Sequence, residues 1–141
     1  MNEIKSTLRR LRIIQLSVLG FLVMSACFAE VSFHGTSSHW SWQHSLMAGL
    51  ASFCLFEGLY LRHRFLVPAA LALAGDIKNP RALKSWEAWQ VMSVAVAGSV
   101  AMYGVVVRTV FRGATWQAFL FYSVGLLLLL LWVPRMPPKV G

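Results

Sequence analysis

Charge is scarce in this sequence and acid scarcer still: its 141 residues include 13 Lys or Arg and five Asp or Glu. A soluble domain draws about a quarter of its residues from charged types, so the 13% found here is too little to cover a globule in water. No charged residue falls near the middle of a long apolar run, which removes the usual marker of ion or proton passage through a bilayer. Cysteine is equally rare. Cys27 and Cys54 fall in different apolar runs at depths about 9 Å apart for the rise of an α-helix, which argues against a disulfide and makes both small packing residues. Gly-rich phosphate loops and paired-cysteine motifs are missing. Ser, His and acidic side chains do not converge at one predicted depth, so no catalytic constellation stands out and no cofactor is called for.

What is present is apolar: 57% of residues are hydrophobic and the mean hydropathy is +0.62. A hydrocarbon core takes roughly 20 apolar residues per helical crossing, so the length allows four crossings with short connections and no separate soluble domain. The predicted fold is all-α: a polytopic membrane protein with four transmembrane helices in a small bundle, a single membrane domain over residues 1–141. Its spans lie at 13–31, 42–61, 91–107 and 116–133, with a short interfacial segment at 65–74 between the second and third. Lys5, Arg9, Arg10 and Arg12 precede an apolar run too long for a signal-peptide core, so it reads as a retained anchor. The first two spans read as a tight helical hairpin. The run from Phe65 to Ala74 is too short to cross, and is expected to lie at the interface or pack beneath the bundle, with a re-entrant loop as the alternative. Asn79-Pro80 has the form of a helix start, an amide oxygen to cap free N–H groups followed by a proline. It places Trp86 and Trp89 of the third helix at headgroup level. Pro134, Pro137 and Pro138 stop the fourth.

Lys and Arg fall eleven on one side of these spans and two on the other. The positive-inside rule then puts both termini in the cytoplasm, and short basic loops suggest a bacterial inner membrane. The tryptophans agree: Trp40, Trp42 and Trp116 mark one interface, and Trp86, Trp89 and Trp132 the other. The net charge of +8 therefore reads as topology and headgroup contact, with no nucleic-acid partner. No internal repeat relates the first pair of spans to the second.

Three groups of residues bear on function. Glu30, His34, His39 and His44 crowd the outer end of the first two spans. They are chemically suited to a borderline metal, but at a spacing that matches no zinc signature, so solvated loop histidines are the simpler reading. Glu57 is the charge nearest the membrane interior and is expected to form an interfacial ion pair with Arg62. In the third span Ser93, Ala97, Ala101 and Gly104 form a small-residue face that lets helices approach closely, within the bundle or with a partner. The stretch Met92-Ser93-Val94-Ala95-Val96-Ala97-Gly98-Ser99-Val100-Ala101-Met102-Tyr103-Gly104-Val105-Val106-Val107 resembles the carboxylate-bearing helix of the proteolipid ring subunits of rotary ATPases. Gly98 stands where that family carries its ion-binding carboxylate, so the resemblance implies shared packing and not ion carriage.

These features point to an accessory, assembly or structural subunit of the membrane, acting by helix–helix association with a second copy or with other membrane subunits. Two alternatives follow from the same residues. One is a small oligomeric transporter or channel; the other is a membrane enzyme or metal-binding protein that uses the outer His and Glu residues.

Overall fold

The computed structural model describes residues 2–32, 39–112 and 114–135. The described chain is all-helical, with α1 over Asn2–Ser32, α2 over Trp42–Leu61, α3 over Val67–Gly75, α4 over Pro80–Thr109 and α5 over Thr115–Leu131. A π-helical turn, Arg62–Leu66, joins α2 to α3 without a break, so Trp42–Gly75 is one helix of 34 residues. The continuous helix replaces the separate interfacial segment expected at 65–74. The backbone does not stop there even though Pro68 has no N–H to continue the ladder: it lies directly after the π-helical turn, whose wider i→i+5 spacing carries the helix through. The helix ends instead at Gly75 and Asp76, where Asp76 Oδ1 accepts the Lys78 N–H at 3.1 Å.

Asn79 then opens α4 as its sequence suggests, its Oδ1 accepting the N–H groups of Arg81 and Ala82 at 3.0 and 3.2 Å. Three helices, Asn2–Ser32, Trp42–Gly75 and Pro80–Thr109, are long and apolar enough to cross a membrane; Thr115–Leu131 is apolar but shorter.

The bundle is built around α4, which packs against α1, α2, α3 and α5. α1 and α2 flank α4 instead of forming the tight hairpin expected for them. The reason lies in glycines at the contacts with α4, which let three helices approach it at once: Gly98 of α4 meets Val18 of α1, Gly104 of α4 meets Tyr122 of α5, and Gly58 of α2 meets Val96 of α4. Two cores result. The larger lies between α1, α2, α4 and α5 and includes Leu22, Ala51, Ala97, Val100, Phe121 and Trp132. The second lies at the basic end, where Ile4, Leu8 and Leu11 of α1 meet Leu66 and Leu73 of the α2–α3 helix and Trp86 of α4. Positions 4, 8 and 11 are spaced one turn apart, while Lys5, Arg9, Arg10 and Arg12 of the same segment are exposed. The amino-terminal segment is therefore an amphipathic extension of the apolar part of α1. Trp86, expected at headgroup level, is 1% exposed inside this second core.

Candidate functional site

Polar side chains gather at both ends of the larger core. At the end away from the basic tail, Glu30 Oε2 accepts hydrogen bonds from Arg108 Nε at 3.2 Å and from Thr115 Oγ1 at 2.7 Å. Arg108 is 3% exposed. The three residues come from α1, α4 and the first position of α5, so a single carboxylate ties three helices together. Glu30 Oε1 and the Tyr122 hydroxyl are also buried, without a hydrogen-bond partner of their own. Sequence reading singled out Glu30 but not Arg108 or Thr115, because nothing local indicates that α1 and the start of α5 meet at one end of α4.

The metal-ligand reading fares differently at each position. Glu30 is held by Arg108 and Thr115. His44 Nδ1 accepts the Ser41 N–H at 3.2 Å and lies 2.7 Å from Ser41 Oγ, which fastens the ring to the start of α2. Its ring also stands 5.2 Å from that of Trp40, which stacks in turn on Trp116 at 6.2 Å. His39 lies in the segment leading into α2, and His34 is outside the described residues. Among the described residues no three His, Cys, Asp or Glu side chains group to hold a metal ion.

At the basic end the Glu57–Arg62 pair does not form. Five residues apart on a helix are about 140° apart around its axis, and Glu57 is exposed while Arg62 turns toward the bundle. The Arg62 guanidinium donates to Ser93 Oγ at 3.3 Å and stands 5.3 Å from the centre of the Trp132 ring. Nearby, Phe65 and Trp89 stack at 4.5 Å. Gln15 of α1 donates from Nε2 to the Leu129 carbonyl of α5, a buried polar clasp that sequence reading also missed.

The small-residue face of α4 is occupied. Ser93, Ala97, Ala101 and Gly104 are all buried, the last two against α5: a Cβ on Gly125 would stand 2.7 Å from the Ala101 nitrogen, and one on Gly104 2.6 Å from Tyr122 Cε1. The open face of α4 is a different one. Ala95 and Ser99 are exposed, and with Met102 they floor a groove of about 460 Å³ walled by Val18 and Phe21 of α1. Around the axis of α4 this face lies opposite α5, in the gap left because α1 and α2 do not close on each other. Within the proteolipid-like stretch, Gly98 packs on Val18 of α1, as a close-approach residue does. No family model, no curated protein and no solved structure matches the chain.

Proposed function

We propose that this chain is an integral protein of the bacterial inner membrane that crosses it four times with both termini in the cytoplasm, and that it acts as an accessory, assembly or structural subunit by helix association. The exposed surface of the helices supports the bilayer placement: Leu16, Met24 and Phe28 of α1, Phe53 and Phe56 of α2 and Phe119 of α5 are all more than half exposed. Side chains of this kind are stable facing lipid, not water. α5 is short for a crossing, but Trp116 and Trp132 bracket it at the two interfaces.

The observation that carries the associative role is the open groove on α4 at Ala95, Ser99 and Met102. In lipid, helices associate through close packing of small residues, and this groove offers such a surface after the face at Ala97 and Ala101 has been used internally. A transmembrane helix of a partner subunit or of a second copy fits it. The test is native mass spectrometry from nanodiscs, with metal content read on the same sample. A complex larger than one chain that Ser99→Leu disperses supports the reading; a metal-free monomer sinks it.

A further inference from the structure

We propose that Arg62 anchors a binding site for the phosphate of an anionic phospholipid at the basic end of the bundle. Two other arginines that touch the body of the protein are matched with carboxylates, Arg108 with Glu30 at 3.2 Å and Arg10 with Glu87 at 3.6 Å. Arg62 is half-buried and is not so matched: it makes one hydrogen bond, to the neutral Ser93 hydroxyl, and otherwise rests over the Trp132 ring. Glu57, the acidic residue nearest in sequence, is exposed on another side of the helix. A guanidinium has five N–H donors in a planar fork, so four are left to other partners in a low-dielectric setting where an unmatched charge is costly.

The space beside it is a notch of about 10 Å³, too small to admit a phosphate, so the guanidinium meets an anion from the mouth of the notch and not from inside it. Arg62, Gly58, Trp89 and Ser93 line this notch between α2 and α4. Gly58 keeps that notch tight, since a Cβ there would stand 2.6 Å from Val96 Cγ1. Arg62 also opens the π-helical turn, its carbonyl accepting the Val67 N–H five residues on; such turns recur at functional sites. The exposed Arg64, two residues on and outside the notch, adds positive charge to this end of the bundle. The position is the end of the apolar part of α2, the depth at which lipid phosphates lie, and a phosphodiester accepts the two parallel N–H bonds that an arginine fork offers.

The experiment is native mass spectrometry of the full chain released from nanodiscs containing phosphatidylglycerol in phosphatidylcholine, comparing wild type with Arg62→Gln and Arg64→Gln. These substitutions remove the same charge, one at the notch and one outside it. Wild type is expected to retain one phosphatidylglycerol in preference to phosphatidylcholine. Arg62→Gln should weaken that retention about tenfold or more, the value of one charge-assisted bidentate contact, while Arg64→Gln changes it little. Arg62→Lys covers the case in which the glutamine variant fails to fold; it keeps the charge without the fork and is expected to bind at an intermediate level. Equal loss from Arg62→Gln and Arg64→Gln would reduce the site to diffuse surface attraction. Retention of both lipids alike, or inorganic phosphate in detergent protecting the site as well as the lipid does, would overturn the proposal.

Discussion

Glu30 and Arg108, 78 residues apart in the chain, meet at 3.2 Å where α1 and α4 end together. With Arg108 almost fully enclosed, this pair is a structural clasp that also receives the Thr115 hydroxyl at the start of α5. Its energetics are asymmetric: removing one member of a buried pair leaves the other charge uncompensated, whereas removing both does not.

Arg108→Leu is therefore expected to cost about 3 kcal/mol of stability, the lower part of the range for buried pairs, because the Glu30 side chain remains 28% exposed. The double variant Arg108→Leu with Glu30→Leu should recover most of that loss. Thermal unfolding in mild detergent, followed by tryptophan fluorescence, reads both. A single variant as stable as wild type would show that the pair contributes nothing.

Glycines divide into two sets by what surrounds them. Gly104 and Gly125 sit against Tyr122 and Ala101 across the α4–α5 contact, while a Cβ at Gly20 or Gly49 meets nothing within 4 Å. Gly125→Ala and Gly104→Ala should each lose about 1 to 3 kcal/mol by overpacking. Gly20→Ala and Gly49→Ala should be neutral or gain up to about 1 kcal/mol from helix propensity. The four variants unfolded in parallel give the comparison, and destabilisation of all four alike would mean that the close α4–α5 approach is absent.

The second core depends on Trp86 and Leu73, both essentially enclosed. Trp86→Ala should cost about 3 to 5 kcal/mol and Leu73→Ala about 2 to 5. The consequence should be local: limited proteolysis is expected to cut near Arg9 and Arg81 in these variants while residues 91–131 stay intact. Loss of the whole bundle instead would show that the two cores fold as one unit.

Topology is open to direct labelling. On a background of Cys27→Ser and Cys54→Ser, Arg9→Cys and Lys78→Cys should react with an impermeant maleimide only from the cytoplasmic face, and Arg112→Cys only from the opposite face. Reaction of Lys78→Cys and Arg112→Cys from one side would refute the crossing of α4 and with it the proposed arrangement.

Much of the architecture was legible along the chain. Apolar runs bounded by basic clusters and tryptophans mark the helices, and Asn79-Pro80 marks a helix start that the hydrogen bonds of Asn79 bear out. The second core also left a signal, with Ile4, Leu8 and Leu11 on one face, but the basic residues interleaved with them obscure it. The helix through 62–75 left none, since a polar Arg-His-Arg patch reads equally well as the end of a span and as a π-helical turn within one.

What the sequence by itself determined is the apolar runs that form the cores of α1, α2, α4 and α5, because a hydrophobic run and its flanking charges are local properties that need no partner to be expressed. Only tertiary structure decided which residues meet. Glu30 could not be assigned to Arg108, nor Arg62 to Ser93 and Trp132, until α4 stood at the centre. That choice rests on small residues such as Gly58, Gly104 and Gly125, whose effect depends on the facing helix. Close packing is a property of two surfaces together, and one strand of sequence records only one of them.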